Sequence, residues 1–202
     1  MTAEEFDFVE LNQSEVSDEV ISQFDCGNRS MTEYLHQHAK DDTIKGKGVT
    51  YVLVTADRKR IYAYATIATY SLYYYEDAEK FHTKEMNESG KVLLAVPSIE
   101  IKMFAISKKL KGQIAYLLDP KGQQHYSSIF FKLFLEKLYY MSMSSVGFQM
   151  VFLRANDEGE RLYRNNKFVE CDKYLSTYDA MAEGCTSLAI TLTEIEYVLF
   201  SG

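Results

Sequence analysis

The sequence predicts one α/β domain in which a mixed central sheet of about seven strands is covered by helices on both faces. Segments with the two-residue periodicity of strands alternate along the chain with segments of helical periodicity, and strand pairs that can form hairpins occur near both ends. The chain contains neither an internal repeat nor a linker of domain-separating composition. We therefore expect residues 1–202 to form a single domain.

Composition and charge limit the classes of protein that this chain can be. With 202 residues, of which 47% are hydrophobic, the chain is long enough to bury a substantial core. The N-terminal segment is acidic rather than basic and apolar, and the apolar run Ile129–Met141 is short and interrupted by charges, so we expect neither export nor a membrane span. The expected location is the cytoplasm. The net charge of -7 argues against nucleic acid as a partner.

The three cysteines, Cys26, Cys171 and Cys185, are widely spaced and form no CxxC pair. A zinc site needs such clustered ligands, so we expect reduced thiols and no metal.

The first half of the chain predicts strands and two short helices. Ser30 and Glu33 fit a capping box, and the helix that they begin carries His38 on its apolar face. The segment 70–91 is interpreted either as a partly helical surface excursion or as a lid over an acceptor site. The predicted elements are a strand over Phe6–Leu11, helices over Val16–Phe24 and 30–40, a mobile loop over Asp41–Gly48, and strands over Thr50–Thr55, Ile61–Ile67 and Ser98–Ile106.

In the second half, apolar residues surround a long helix pattern over Tyr126–Met141, which predicts deep burial. It is followed by a strand over Gln149–Ala155 and a short helix over Asp157–Arg164. Two final strands are expected near Phe168–Leu175 and Ser187–Leu192.

Two segments indicate a function. VPSIEIKMFAISKKLKGQ, residues 96–113, is a strand that ends in a basic turn with a glycine, which is a place to hold a phosphorylated ligand. LRANDEGERLYRNNKF, residues 153–168, is a strand followed by asparagine, a helix and a tyrosine. Both segments, and the order of elements along nearly the whole chain, resemble the GNAT superfamily of N-acetyltransferases. FDCGNRSMTEYL, residues 24–35, resembles the first-helix region of the bacterial branch that includes acetyltransferase toxins.

This resemblance implies that acetyl-CoA binds in a V-shaped opening between two central parallel strands and that its acetyl group passes directly to an amine. By position, Tyr163 would protonate the departing CoA thiolate, and Asn156 would contact the cofactor. Backbone groups of Met103, Phe104, Ala105 and Ile106 would bind the pantetheine arm and the acetyl carbonyl.

Glu100 is the candidate base, because an amine must lose a proton before it can attack. Strand alternation predicts that Glu100 and Lys102 share a face opposite Ile99 and Ile101. The alternative is that Glu100 is a solvated or salt-bridged strand residue.

The phosphate loop departs from the GNAT pattern. Lys111 and Gly112 fit it, and Gln113 beside them is a further cofactor-binding candidate, but Ile114 and Tyr116 stand where small residues are expected. Either the cradle has moved to Asp119–Gln124, or cofactor binding is weakened or lost.

The predicted function is therefore an acetyl-CoA-dependent N-acetyltransferase, with a catalytically inactive GNAT-derived binding or regulatory protein as the alternative. The expected acceptor is an amine-bearing small molecule, protein or peptide, and the prediction leaves room for a homodimer.

Overall fold

The computed structural model describes residues 6–77, 90–171 and 184–201. Seven strands form one sheet in the order β1-β2-β3-β4-β5-β7-β6, and within the described residues β4 and β5 are the parallel pair. The elements are β1 Asp7–Glu10, a 3-10 turn Leu11–Gln13, α1 Asp18–Ser22, α2 Arg29–Gln37, α3 Ala39–Ile44, β2 Val49–Val54, β3 Ile61–Asp77, β4 Lys91–Ile106, α4 Tyr126–Ser144, β5 Met150–Ala155, α5 Asp157–Asn165, β6 Val169–Glu170, β7 Thr186–Thr191 and α6 Leu192–Phe200.

Helices cover both faces of the sheet, as the sequence predicts. Side chains alternate between the faces, so that Leu53 packs on the α4 side while its neighbours Val52 and Val54 pack on the side of α1–α3. On the α4 side the core is rich in aromatic rings, including Phe130, Phe131 and Phe134. The deep burial predicted for the helix after β4 is confirmed for this face of α4, whereas Tyr140 on its outer face is 54% exposed.

The segment 70–91 is partly different from either prediction. Residues 70–77 continue β3 and Lys91 begins β4, so the described part of this segment belongs to a long two-stranded arm and is not helical. Residues 78–89 lie outside the described part of the chain.

Three local predictions in the N-terminal half are wrong. The cap of α2 is Asn28, whose Oδ1 accepts from the backbone N–H of Met31 at 3.1 Å, and Ser30 lies inside the first turn. His38 ends this helix and is exposed, so it is not on an apolar face. The first part of the expected loop Asp41–Gly48 belongs to α3, because the buried Ala39 anchors a further helical turn against the core.

The C-terminal half follows the prediction until β7. The strand expected near Phe168–Leu175 is the short β6, and residues 172–175 lie outside the described part. The helix α6 was not predicted, although Thr191 and Glu194 form a capping box that begins it and Ile195 anchors it in the core. Among the described residues there is no helix long and apolar enough to cross a membrane.

Candidate active site

A cleft opens where the two parallel strands at the centre of the sheet separate. Their pairing runs from Ser98 opposite Met150 to Ile101 opposite Leu153. Past this point the described parts of both strands no longer pair with each other, although β4 runs on to Ile106. The cleft has a volume of about 570 Å³, which lies in the range of small-molecule ligand sites.

A β-bulge bends β4 at this cleft. On β3, Ile67 lies opposite Ile101 and Thr66 lies opposite Met103, so Lys102 has no opposite residue on that strand. A bulge adds a residue to one strand, bends it and increases its twist. The bend directs the end of β4 away from β5.

The bulge also interrupts the alternation that the sequence predicts. Before it, Ile99 and Ile101 pack with the α4 cluster, as expected. After it, Phe104 and Ile106 take that face, and Met103 packs on the other side. The alternation therefore holds for Ile99 and Ile101, is broken at the bulge, and resumes with Phe104 and Ile106 on the α4 side.

The backbone of Met103–Ile106 lines the cleft, and β3 pairs with only one edge of this segment. On the other edge, which faces β5, no strand of the described residues pairs with it. Peptide N–H and C=O groups must find partners when they are removed from water. This edge therefore offers hydrogen bonds to a bound molecule.

The loop after β4 brings Lys111 and Gly112 to the same cleft. Gly112 has a φ of 71°, and the space around its Cβ position is open for 4 Å. Gln113 lies outside the cleft wall. Its carbonyl accepts from the backbone N–H of Tyr126, the first residue of α4, at 3.1 Å.

Residues 114–125 form an excursion whose two ends meet at the start of α4. Ile114 bridges to His125, and Ala115 N–H donates to the carbonyl of Gln124 at 2.8 Å. Ile114 and Tyr116 lie on this excursion, with exposures of 36% and 64%. Neither residue lines the cleft, because the chain turns away from it directly after Gln113.

Hydrogen bonds to Asp119 occupy the alternative cradle at Asp119–Gln124. The carboxylate of Asp119 accepts from the backbone N–H groups of Lys121, Gln123 and Gln124 at 3.2, 2.8 and 2.9 Å. These three N–H groups are already hydrogen-bonded, and the negative charge of the Asp119 carboxylate would repel a phosphate. Gly122 is needed for a different reason: its φ is 67°, and a Cβ there would lie 2.5 Å from the ring of Tyr116.

The helix α5 supplies the opposite wall. The side-chain oxygen of Asn156 caps this helix by accepting from the N–H of Gly159 at 3.0 Å. Gly159 also makes room for an aromatic ring, because a Cβ at this position would lie 2.9 Å from Cε2 of Tyr163. Asn156, Gly159 and Tyr163 all line the cleft.

Packing fixes the ring of Tyr163, and burial keeps its hydroxyl protonated. The ring lies edge-on to Phe131 at 5.1 Å between centroids and contacts Phe168 at 6.1 Å. Burial raises the pKa of Tyr163 to about 12, because the phenolate would be poorly solvated there. The hydroxyl therefore keeps its proton throughout the physiological range and is available as a donor.

Glu100 does not line the cleft itself but forms an ion pair with Arg154 of β5, which does. The Glu100 side chain is 16% exposed. The guanidinium of Arg154 lies 4.9 Å from the ring of Phe152 and 5.7 Å from that of Tyr70. The ion pair occupies the carboxylate that would have to accept a proton from the amine. This geometry agrees with the salt-bridged alternative for Glu100.

The cleft brings together most of the residues that the sequence singled out and adds others. Glu100 and Gln113 lie outside its wall. Sequence reasoning missed, among others, Arg154, Gly159 and Ser127. A charged residue in an apolar strand and a glycine inside a helix were the available signals. The singled-out residues in the wall are Met103, Phe104, Ala105, Ile106, Lys111, Gly112, Asn156 and Tyr163.

Two of three lysines in the loop after β4 form ion pairs with described residues. Lys111 forms an ion pair with Glu158 of α5, and Lys108 contacts Asp25 at 2.5 Å. Lys109 makes no ion pair with any described residue. No group of three or more metal-binding side chains occurs within residues 6–77, 90–171 and 184–201.

Comparison with known proteins identifies this architecture. No family model and no curated protein matches the sequence. A structure described as a bacterial toxin matches with a TM-score of 0.65 and 16% identity, over 97% of this chain and 96% of that chain. The complex AtaTR bound with AcCoA gives 0.65 and 16%, over 98% and 99%. AtaT complexed with acetyl-methionyl-tRNAfMet gives 0.60 and 16%, over 96% and 99%.

The chain has a GNAT fold. The mixed seven-stranded sheet and the two splayed parallel strands agree with the fold that the sequence predicts. Other similar structures are tyrosine-to-phenylalanine mutants of AtaT and KacT. At such low identities the likeness establishes the GNAT fold, and function has to be argued from the site.

Proposed function

We propose that this chain is an acetyl-CoA-dependent N-acetyltransferase that transfers an acetyl group directly to an amine. One observation carries the proposal: the unpaired edge of Met103–Ile106 and the protonated Tyr163 line the same cleft. Acyl transfer from a thioester needs hydrogen-bond donors for the carbonyl oxygen and a proton for the leaving thiolate. The GNAT-fold complex AtaTR is bound with AcCoA, which supports acetyl-CoA as the cosubstrate.

The pyrophosphate of acetyl-CoA would bind at Gly112 and the N-terminus of α4. Because residues 114–125 leave the path and return beside Gln113, the turn at Gly112 adjoins the first turn of a 19-residue helix. Backbone N–H groups at a helix N-terminus attract phosphate. Ser127 of this first turn lines the cleft. Lys111 adds a positive charge once it exchanges Glu158 for a phosphate oxygen.

The residues of the cleft divide the chemistry among them. Backbone N–H groups of Met103–Ile106 stabilise the carbonyl oxygen while the amine nitrogen bonds to the acetyl carbon. The carbon–sulfur bond then breaks, and Tyr163 gives its proton to the sulfur. The nitrogen, which after attack carries one proton more than an amide, releases it to solvent, and Tyr163 regains a proton from solvent. The amine must first lose its own proton. Glu100 can accept it only when its contact with Arg154 opens.

The acceptor that the surface favours is an amine carried by RNA, rather than the small-molecule or peptide amine expected from the sequence. The excursion beside the cleft exposes Tyr116 and Leu117 by 64% and 68%, and Lys121 on it makes no ion pair with a described residue. Exposed aromatic rings stack on bases, and lysines bind phosphates. AtaT, a neighbour with this fold, is complexed with an acetyl-aminoacyl-tRNA, so the expectation against nucleic acid receives no support.

Acetylation assays separate these acceptors. With acetyl-CoA present, aminoacyl-tRNA should be acetylated faster than a peptide or a polyamine. Replacing Tyr116 by Ala should slow the reaction on tRNA and leave peptide acetylation unchanged. Faster acetylation of the peptide would reject the RNA-borne acceptor and leave the acetyltransferase proposal intact.

One observation favours the alternative of an inactive binding protein. Glu158 forms an ion pair with Lys111, the lysine that would contact the cofactor phosphate, and residues 114–125 form a long excursion in the loop after β4. The exposed pair is worth about 0–1 kcal/mol, so a phosphate can displace Glu158 at little cost. An inactive protein would bind acetyl-CoA without transferring its acetyl group to any of the amines above.

Calorimetric titration with acetyl-CoA tests the binding step. We expect saturable binding below about 1 mM, which is the upper end of typical substrate affinities. Gly112→Ala should weaken it about tenfold or more, because it strains the left-handed turn and crowds the phosphate. Gly46→Ala is the matched control: its φ of 68° and its open surroundings resemble those of Gly112, but it lies outside the cleft. Absence of binding heat together with an unchanged melting temperature would refute the proposal.

A further inference from the structure

The hairpin arm of β3 and β4 extends beyond the rest of the sheet. Residues Ser71–Asp77 pair with Lys91–Pro97, and β5 begins opposite Ser98. Within residues 6–77, 90–171 and 184–201, no strand covers the side of Lys91–Pro97 that faces away from β3. Beyond Ile67, where the pairing with β2 ends, no described strand covers the other side of β3 either, so the arm is a two-stranded ribbon that is open on both sides, including its β4 edge.

The direction of the backbone groups on this edge follows from one hydrogen bond. The carbonyl of Pro97 accepts from the N–H of Gln149 at 2.8 Å, on the side of β4 that faces β5. Successive residues of a strand point their N–H and C=O groups to opposite sides in an antiparallel ladder. Leu93 and Ala95 therefore present both groups to the open edge, whereas Leu94 pairs with β3. Pro97 has no N–H to lose there.

The side chains of the open segment are apolar on both faces of the ribbon. Val92–Val96 contains no charged residue, and Leu93 is 50% exposed. An isolated two-stranded ribbon is marginally stable in water. An exposed apolar edge is also a template for another strand, which proteins usually block with charges or proline. Here Lys91 and Pro97 flank the run at its two ends.

We propose that this edge pairs with the same edge of a second copy of the chain, antiparallel about a twofold axis at Leu94. Leu93 then lies opposite Ala95 of the second copy, and each of the two residues donates its N–H to the carbonyl of the other. Leu94 lies opposite Leu94 of the second copy, in a pair without hydrogen bonds between the copies. This register matches outward-facing backbone groups with outward-facing ones.

A second copy fits this edge because the edge complements itself. In the antiparallel register Val92 meets Val96, so apolar side chains meet apolar side chains on both halves. The charged residue of the segment, Lys91, falls opposite Pro97, and the two lysines of the dimer lie about 20 Å apart at the strand rise of a sheet. No like charges meet across the interface.

Sedimentation of the full chain over a range of concentrations tests the dimer. Ala95→Pro removes an outward-facing N–H and leaves the ladder to β3 unbroken, because Ala95 and its opposite residue Tyr73 form a pair without hydrogen bonds. We expect its dimer dissociation constant to rise about tenfold or more, since both copies lose the bond. Ala95→Val keeps the N–H and should remain dimeric. The proposal is overturned if the chain is a monomer at every concentration, even if its arm binds a strand of another protein. It is also overturned if the chain forms a dimer that Ala95→Pro does not weaken.

Disulfide trapping tests the register independently of folding effects at Ala95. Opposed residues in a pair without hydrogen bonds have Cα atoms about 4.5 Å apart, a distance that a disulfide spans. Leu94→Cys should therefore form a covalent dimer under oxidising conditions. In Val92→Cys the two introduced thiols lie about 14 Å apart at the strand rise, and no such dimer should form. The unaltered chain, with Cys26 and Cys171 buried, is the second control. Failure of Leu94→Cys to cross-link, or equal cross-linking of Val92→Cys, would overturn the proposed axis.

Discussion

Replacing Gly159 by alanine tests whether Tyr163 acts from the position that α5 gives it. The added methyl group would lie 2.9 Å from Cε2 of Tyr163 and 3.3 Å from Oδ1 of Asn156. Aromatic side chains on helices point back over the preceding turn, which is where Gly159 leaves room. The ring cannot simply retreat, because Phe131 and Phe168 pack against it. We expect the hydroxyl to be displaced within the cleft.

The effect on turnover should exceed the effect on stability. Alanine is favoured over glycine in a helix by at most about 1 kcal/mol, and overpacking costs about 1–3 kcal/mol. The free energy of unfolding should therefore fall by about 0–2 kcal/mol. A displacement near 1 Å at a reacting group can cost about 100-fold in rate. We expect kcat to fall about 10- to 100-fold with little change in acetyl-CoA affinity.

The assay is release of free CoA thiol at saturating acetyl-CoA, with Gly147→Ala as control because no atom lies within 4 Å of a Cβ at that position. A double mutant identifies the route of the effect. If Gly159→Ala acts through the hydroxyl, adding it to Tyr163→Phe should cause no further loss. Unchanged kcat in Gly159→Ala, or fully additive losses, would refute the reasoning.

Three other variants have distinct expected outcomes. The raised pKa of Tyr163, about 12 against 10.0 for a free phenol, means that its stabilising contribution is complete below pH 10 and is lost as the pH rises to 12. In urea titrations Tyr163→Phe should therefore lose less stability than the unaltered chain across that window, by up to about 3 kcal/mol; parallel losses would contradict the assignment. Glu100→Gln deprives Arg154 of its carboxylate and should lower the melting temperature, whereas an unchanged melting temperature would show that the pair contributes nothing. Gly122→Ala should disturb the excursion at Tyr116 but leave CoA affinity within about twofold, and a larger loss, measured by calorimetry, would return the phosphate cradle to Asp119–Gln124.

Local sequence patterns were enough to predict most strands and helices. β2, β5 and α5 follow the predicted segments to within a residue or two, because alternation, helical period and flanking polar residues are properties of neighbours in the chain. The helix α6 was readable in the same way from Thr191 and Glu194, and was missed. The choice between competing caps was less local: Ser30 fits a capping box, but Asn28 begins the helix.

The candidate site was predictable only in part. Tyr163 and the strand Met103–Ile106, which the sequence assigns to one site, line the same cleft. The sequence also raised an ion pair at Glu100 as an alternative, but it could not name Arg154, because that contact joins residues that are 54 positions apart.

By itself the sequence determined the fold class, the order of the elements and the strand that forms one side of the cleft, because periodicity and motifs act over short distances. Only the tertiary structure decided the geometry of the site. The bulge at Lys102 depends on the register with β3, and the return of residues 114–125 to Gln113 depends on hydrogen bonds between distant backbone groups. These interactions form only when segments far apart in the chain meet, so no local pattern encodes them.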